Sequence, residues 1–305
     1  MLTTEQANPQ SAALDTLSVR EIVRLMNDED RAAVTAVTSI LPQVEAITSE
    51  VVGRFRAGGR LVFAGAGTSG RLGILEAAEC PPTFGLPSDR VVALMAGAPG
   101  SVFRAAEGLE DDAGAGAAAI AAAAVGPADC VIGLTASGST PYALGALRAA
   151  HAAGAFTALV AANPPPPAAL PDIDVAIALP TGPEVLTGST RLKAATATKM
   201  VLNMITTAAM VRLGRTYKNR MSQIRTGNRK LRRRAVITLM EACGLGEAAA
   251  DALLARTGER LPAAILSAVT GADPARAVRT LDACGDDLNA AVKALAHEPR
   301  QDPRP

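Results

Sequence analysis

Three short segments of the sequence combine hydroxyl side chains with glycine, and each precedes a stretch of helical composition. Hydroxyl groups beside the free N–H groups of a helix N-terminus can bind an anion such as a phosphate group. Neutral donors and the helix dipole can together hold a phosphomonoester without a metal ion. The segments are Gly65-Ala-Gly-Thr-Ser-Gly70, Thr135-Ala-Ser-Gly-Ser-Thr140 and Thr187-Gly-Ser-Thr190. Together they predict a site for a phosphorylated ligand.

The polar side chains of these segments are the candidate phosphate and sugar ligands. They are Thr68, Ser69, Ser137, Ser139 and Thr140, with Ser189, Thr190 and Lys193 as further candidates from the third segment. Ordinary helix caps are the alternative interpretation. The first segment also satisfies GxGxxG by count. However, no strand that ends in an acidic residue follows about 20 positions later, as the dinucleotide-binding pattern requires.

Two groups of carboxylates supply candidate acids and bases. Glu76 and Glu79 are three residues apart on a predicted helix and therefore share a face. The second group precedes an alanine-rich segment and consists of Glu107, Glu110, Asp111 and Asp112. A carboxyl group with a raised pKa can accept a proton and then donate one. A solvated helix face is the alternative for any single member, and no Ser-His-acid set is apparent.

The elements that must position these groups alternate along the chain. Short apolar segments are separated by stretches of helical composition, a pattern typical of a parallel sheet covered on both faces. In such α/β folds ligands bind at the carboxyl ends of the strands, where the hydroxyl-rich segments would converge. The strands are predicted at about 60–66, 91–97, 130–135, 156–161 and 175–179. The fold class is therefore α/β, with a doubly wound, five-stranded parallel sheet.

Three domains are predicted. Residues 1–57 form an extended or loosely ordered arm, about 1–15, and helices that pack on the core, one of them from about 30 to 55. Residues 58–218 form the sugar-phosphate-binding domain, which ends in a long helix from Thr190. Residues 219–305 form a basic helix and a small three-helix (UBA-like) domain with a frayed end.

The composition argues against several classes of protein. A net charge of +1 gives no sign of binding to nucleic acid or to an anionic membrane. The polar N-terminus lacks a signal-peptide core, and Lys199 interrupts the most apolar helix. The 4 cysteines form no CxxC pair and only 2 histidines are present, so no metal site is expected. The sequence thus predicts a cytoplasmic protein without metal or cofactor.

A basic stretch at residues 220–234 has more than one interpretation. It could contact nucleic acid, line a site for an anionic ligand, or form a solvated helix face. The neutral charge of the whole chain favours the last two interpretations.

Several long motifs carry a resemblance to a known family. They are Phe63-Ala-Gly-Ala-Gly-Thr-Ser-Gly-Arg-Leu-Gly73, Ala78-Glu-Cys-Pro-Pro-Thr-Phe-Gly85, Glu107-Gly-Leu-Glu-Asp-Asp112, Gly182-Pro-Glu-Val-Leu-Thr-Gly-Ser-Thr-Arg-Leu-Lys193, Thr216-Tyr-Lys-Asn-Arg-Met221 and Met26-Asn-Asp-Glu-Asp30. They resemble the N-acetylmuramic acid 6-phosphate etherases, closely over about residues 8–235 and loosely in the tail. Ala78, where serine is common, and Ala195, where glycine is common, depart from the family pattern without removing a titratable group.

The resemblance implies a sugar isomerase (SIS) fold and a homodimer with the site near the subunit interface. It also implies cleavage of the D-lactyl ether of N-acetylmuramic acid 6-phosphate, with Glu79 and Glu110 as the catalytic pair and no cofactor. We expect Glu79 to act as the acid and Glu110 as the base at C2, with the reverse assignment as the alternative. Two other functions on the same fold stay open: an aldose–ketose isomerase and a non-catalytic sugar-phosphate sensor.

Overall fold

A central sheet of five parallel strands is the main element of the fold. In the computed structural model, which describes residues 1–224 and 226–297, the strand order is β2-β1-β3-β4-β5. The strands are β1 (Leu61–Gly65), β2 (Val91–Met95), β3 (Cys130–Thr135), β4 (Phe156–Ala161) and β5 (Val175–Ala178). Every residue of β1, β3 and β4 is buried, as expected for apolar strands covered on both faces. The five predicted strands and the fold class are confirmed.

The strand order predicts where a ligand can bind at the carboxyl ends of the strands. β1 pairs with β2 on one side and with β3 on the other. The chain therefore leaves β1 in one direction and leaves β3 towards β4 in the opposite direction. The connections after β1 and β3 separate at this point, and the resulting crevice is the usual ligand site of open α/β sheets.

The described chain divides into two compact units, residues 1–78 with 88–207, and residues 79–87 with the chain from 208 onward. The helices that begin in the first unit are α1 (Val19–Glu29), α2 (Arg31–Thr38), α3 (Leu41–Arg56), α4 (Gly67–Phe84), α5 (Gly100–Phe103), α6 (Ala113–Ala122), α7 (Pro141–Ala152) and α8 (Lys193–Arg212). The predicted domain ranges 1–57, 58–218 and 219–305 stay predictions.

Two predicted helices are interrupted. The helix expected from 30 to 55 is divided into α2 and α3, because Pro42 lies in the first turn of α3 and starts a new helix there. The helical stretch expected at 101–125 contains α5, a 3-10 turn at Leu109–Asp111, and α6. Gly108 has a φ of 78°, and the side chain of Asp112 accepts a hydrogen bond from the N–H of Ala115 and caps α6. These two residues start a new element where apolar periodicity predicts a continuous one.

The N-terminal arm contains short 3-10 turns, where the sequence predicts an extended or loosely ordered segment. It forms 3-10 turns at Thr3–Glu5, Pro9–Ser11 and Leu14–Thr16. The buried side chain of Asn163 holds its start. Asn163 Oδ1 accepts hydrogen bonds from the N–H and hydroxyl of Thr3 at 2.9 and 2.8 Å, and Nδ2 donates to Thr4 Oγ1 at 2.9 Å. This partner is 160 residues away in the sequence, beyond the reach of any local pattern.

The second unit is helical apart from a short hairpin. The hairpin pairs β6 (Thr216–Tyr217) with β7 (Arg220–Met221), and the helices are α9 (Arg229–Cys243), α10 (Glu247–Arg256), α11 (Leu261–Thr270), α12 (Pro274–Ala283) and α13 (Leu288–His297). Four helices therefore follow the basic helix within the described residues, whereas the sequence predicts three. Gly258, with a φ of 65°, follows the end of α10 and separates it from α11. The expected frayed end, 300–305, lies outside the described residues.

Ion pairs inside the second unit compensate three basic side chains of the stretch at 220–234. Arg232 contacts Asp251 at 2.5 Å and Glu259 at 2.9 Å, Arg220 contacts Glu241, and Arg233 contacts Glu247. The hydrogen bonds that Arg232 donates to Asp251 and Glu259 raise the pKa of Arg232 above its ordinary value. Arg225 of this stretch lies outside the described residues.

Among the described residues, no helix combines the length and the hydropathy that a membrane crossing needs.

Candidate active site

A cavity of about 400 Å³ opens at the carboxyl ends of β1, β2 and β3 in the first unit. Five chain segments line it: the N-terminal arm, the β1–α4 connection, the chain after β2, the β3–α7 connection, and Thr190 before α8. Of the predicted site residues, six line this cavity: Thr68, Ser69, Glu110, Ser137, Thr140 and Thr190. The other four, Glu79, Ser139, Ser189 and Lys193, are not among its lining residues. The crevice expected from the strand order is thus a cavity rich in hydroxyl groups.

The β1–α4 connection brings backbone and hydroxyl donors to one wall. α4 begins at Gly67, so the N–H groups of Gly67, Thr68 and Ser69 belong to its first turn and lack partners within the helix. A side chain at Gly70 would place its Cβ 2.8 Å from the carbonyl oxygen of Gly65. Glycine at position 70 therefore permits the close approach of strand and helix that turns these donors into the cavity.

The β3–α7 connection supplies a cluster of hydroxyl groups. Thr135 Oγ1 and Thr140 Oγ1 are 2.6 Å apart, and Ser137 Oγ accepts hydrogen bonds from the N–H and the hydroxyl of Ser139 at 3.1 and 3.2 Å. Ser139 is exposed. Gly138 has a φ of 78°, and a Cβ there would lie 2.6 Å from the carbonyl oxygen of Asn163. The tight turn at Gly138 directs the hydroxyls of Ser137 and Thr140 towards the cavity, where an anion could accept their hydrogen bonds.

The segment after β2 places acidic side chains on another wall. Glu107 and Glu110 both line the cavity, and both are exposed. Glu5 of the N-terminal arm is the third carboxylate of the lining. None of the three has an ion-pair partner among the described residues. Carboxylates beside a water-accessible cavity that is also lined by hydroxyl groups can accept or donate protons.

Arg71 lies between the first wall and the acidic segment. It is in the first turns of α4 and lines the cavity. Its Nε donates to the carbonyl oxygen of Val102 at 2.8 Å, and its Nη2 donates to that of Ser101 at 2.7 Å. These two bonds connect α4 to α5, just ahead of the segment that carries Glu107 and Glu110.

The two glutamates of α4 have different environments. Glu76 is buried; it accepts hydrogen bonds from Thr206 Oγ1 at 2.5 Å and from Lys199 Nζ at 2.8 Å, so its charge is compensated inside the first unit. Glu79 is exposed and lies about three helical turns beyond Gly67 on the same helix. Glu76 is therefore a buried structural carboxylate and Glu79 an exposed one, although their spacing predicts a shared face.

Two buried charged side chains, Lys193 and Glu184, stabilise the chain that follows the third hydroxyl-rich segment. Lys193 is buried and its Nζ donates to Glu29 Oε2, which also accepts from Asn8 Nδ2 at 2.7 Å. The carboxylate of Glu184 accepts from the N–H groups of Lys193 at 3.2 Å and Ala194 at 2.9 Å. Burial raises the pKa of Glu184, although these two N–H bonds oppose the shift. Lys193 thus positions the start of α8 beside Thr190.

Sequence reasoning missed Thr4, Glu5 and Arg71 as cavity residues. The arm residues carried no local signal, because their position depends on Asn163. Arg71 stands one residue beyond the first hydroxyl-rich segment and was visible as the nearest cation. Within the described residues, no cluster of three His, Cys, Asp or Glu could hold a metal ion.

Comparison with known proteins places the chain in a family. A family model for the glucokinase regulatory protein N-terminal SIS domain matches residues 43–151. A protein of Serratia proteamaculans (strain 568) named N-acetylmuramic acid 6-phosphate etherase is 45% identical over 291 residues, which covers 95% of this chain and 98% of that protein. The protein of that name from Synechococcus elongatus is 47% identical, covering 97% and 96%. The one from Salmonella agona is 46% identical, covering 96% and 98%. This chain belongs to the N-acetylmuramic acid 6-phosphate etherase family.

Family membership confirms the resemblance that the motifs indicate, and the SIS model agrees with the five-stranded sheet. The etherase relatives match almost the full length of this chain, so both compact units belong to the shared region. The roles of individual site residues stay predictions.

Proposed function

We propose that this chain cleaves the D-lactyl ether of N-acetylmuramic acid 6-phosphate, giving N-acetylglucosamine 6-phosphate and D-lactate. The observation that carries the proposal is one cavity that combines phosphate-type donors with an unpaired carboxylate, Glu110, in a chain whose relatives are named for this activity. An enzyme of this kind would act in the recycling of cell-wall amino sugars.

The reaction needs two proton transfers in each half. In the open-chain substrate, the aldehyde at C1 makes the proton on C2 acidic. A base removes that proton, and the lactyl oxygen leaves C3 as an acid protonates it. Water then adds at C3 and a proton returns to C2. Each proton transfer by a positioned side chain is typically worth about 10²–10⁴-fold in rate.

Glu79 and Glu110 are the proposed proton-transfer pair. We assign Glu79 as the acid that protonates the departing lactate and then activates water, and Glu110 as the base at C2, with the reverse assignment as the alternative. Glu110 lines the cavity, which supports its part. The assignment of Glu79 rests on its family motif, Ala78-Glu-Cys-Pro-Pro82, and on its exposure.

The phosphate group is assigned to the two hydroxyl-rich walls. Thr68 and Ser69 offer hydroxyls and first-turn N–H groups, while Ser137 and Thr140 offer hydroxyls at the start of α7. Ser139, Ser189 and Thr190 are weaker candidates, since only Thr190 of these three lines the cavity. Lys193 is proposed as a positioning residue, because its charge is already paired with Glu29.

We further propose a cytoplasmic homodimer with the site near the subunit interface. The amphipathic helix α1 supports this part, because it has no buried residue and leaves Val19 78% and Val23 60% exposed. Apolar side chains on one face of a helix commonly mark an interaction surface.

An assay of D-lactate release from N-acetylmuramic acid 6-phosphate tests the proposal. The wild-type chain should release lactate and N-acetylglucosamine 6-phosphate in equal amounts. Glu79→Gln should abolish release while leaving the affinity for N-acetylglucosamine 6-phosphate near normal, whereas Glu45→Gln, at an exposed glutamate of α3, should change neither.

The same assay separates the rival functions. An isomerase would yield a product that keeps the ether, and a sensor would bind the sugar phosphate without turnover. Full activity of Glu79→Gln would remove Glu79 from the mechanism.

A further inference from the structure

Arg71 is a cation without an acidic partner in the cavity. Its two hydrogen bonds go to the neutral carbonyl groups of Ser101 and Val102, and no carboxylate of the described chain lies within ion-pair distance of it. A guanidinium has five N–H donors in a rigid fork, so about three of them are left for a ligand. The two carbonyl bonds fix the orientation of the fork before any ligand arrives.

The remaining charges of the lining are negative. Glu5, Glu107 and Glu110 are its carboxylates, and Arg71 is the only basic residue among the lining residues of the described chain. The nearby lysines are already paired: Lys193 with Glu29, and Lys199 with Glu76. An anion that entered beside the acidic wall would be repelled unless Arg71 compensated its charge.

The proposed substrate carries two anionic groups at different ends. The phosphate suits the neutral donors of the hydroxyl-rich walls. The lactyl carboxylate is attached through one carbon to the ether oxygen at C3, the neighbour of C2, and must therefore lie close to Glu110, the proposed base at C2. This second anion needs a cation on the acidic side of the cavity.

We propose that Arg71 binds the lactyl carboxylate of the substrate through its guanidinium fork and so selects ether substrates that carry this acid. The inference rests on the proposed function, since it names how the same site recognises its leaving group. A planar fork can hold both oxygens of a carboxylate, which a lysine cannot do.

The test compares two substrates that differ only at the acid: N-acetylmuramic acid 6-phosphate and its lactamide, in which a neutral amide replaces the carboxylate. The wild-type chain should prefer the acid by roughly 10- to 100-fold in kcat/KM, the range expected for hydrogen bonds to a charged group. Arg71→Gln should bring this ratio close to one, and Arg71→Lys should retain part of it. Arg104→Gln, which removes an exposed charge outside the lining, should keep the wild-type ratio.

The ratio separates recognition from structural damage. Displacement of α5 through the lost bonds to Ser101 and Val102 would lower kcat/KM for both substrates alike and leave the ratio unchanged. An unchanged ratio in Arg71→Gln, or no preference in the wild-type chain, would overturn the inference.

Calorimetric binding makes the result independent of turnover. Arg71→Gln should bind N-acetylglucosamine 6-phosphate, which has no lactyl group, within about 3-fold of the wild-type affinity, and should lose the preference for the acid over the amide. If the wild-type chain released no lactate, the proposed function would fail, and the binding ratio would still decide the role of Arg71.

Discussion

The two ends of the central sheet differ in whether their charged side chains have ion-pair partners. At the amino end, Asp129 before β3 accepts hydrogen bonds from the N–H of Arg60 at 2.8 Å, from Arg60 Nη2 at 2.7 Å and from the N–H of Gly126 at 3.1 Å. At the carboxyl end, Arg71 and Glu110 face the cavity without an ion-pair partner among the described residues. Partnered charges at the amino end stabilise the fold, while unpartnered charges at the carboxyl end are available to a ligand.

The largest expected effect is on activity at the carboxyl end. Glu110→Gln keeps the size and polarity of the side chain but cannot exchange the proton, so lactate release should fall by about 10²–10⁴-fold. The free energy of unfolding should stay within about 0.5 kcal/mol of wild type, because Glu110 is exposed and unpaired.

Asp111→Asn is the matched control for this variant. It neutralises the next carboxylate of the same 3-10 turn, which does not line the cavity. Its lactate release should remain within a few-fold of wild type. Equal losses in the two variants would mean that the charge of the segment matters and the position of Glu110 does not.

The next effect is on stability at the amino end. Asp129→Ala leaves Arg60 without its carboxylate in a site where the Asp129 side chain is only 7% exposed. The free energy of unfolding by urea should fall by about 1–3 kcal/mol, with kcat unchanged. Arg148→Ala breaks the more exposed pair with Asp172 and should cost about 0–1 kcal/mol. A lower kcat in Asp129→Ala without a lower free energy of unfolding would contradict the claim that charges at the amino end serve stability.

The weakest effect is the pH dependence of the stability that the Arg60–Asp129 pair contributes. Burial raises the pKa of Asp129, but the hydrogen bonds from Arg60 and from the N–H groups of Gly126 and Arg60 outweigh it, so the pKa lies below its ordinary value of 3.8. The carboxylate therefore stabilises the folded chain above that value, and the contribution is lost as the pH falls through the lowered pKa. The free energy of unfolding by urea should fall less between pH 7 and about pH 3 in Asp129→Asn than in wild type. Parallel losses would exclude Asp129 as a source of the acid sensitivity.

Much of this architecture could be predicted from the sequence. Nearly continuous apolar runs indicate β1, β3 and β4, because a strand buried on both faces is apolar at most positions. The hydroxyl-rich segments after β1 and β3 could be placed at one crevice by the general rule for parallel sheets. Ser137 and Thr140 were thus found without any knowledge of their contacts.

The rest depended on contacts between residues far apart in sequence. Thr4 reaches the cavity because Asn163 bonds to it, and Lys193 is withdrawn from ligands because Glu29 pairs with it. Neither contact has a periodic or local signature. The break at Gly108 was missed for a different reason, since positive φ at a single glycine leaves the helical composition around it unchanged.

Isotope labelling shows which of the two carbon–oxygen bonds of the ether is broken. Turnover of N-acetylmuramic acid 6-phosphate in ¹⁸O water, with fragment mass spectrometry to separate the oxygen at C3 from the exchangeable oxygen at C1, locates the broken bond. Elimination followed by hydration predicts one ¹⁸O at C3 of N-acetylglucosamine 6-phosphate and none in the D-lactate. Label in the hydroxyl group of lactate, with unlabelled C3, would show that the bond on the other side of the ether oxygen breaks and would contradict the mechanism.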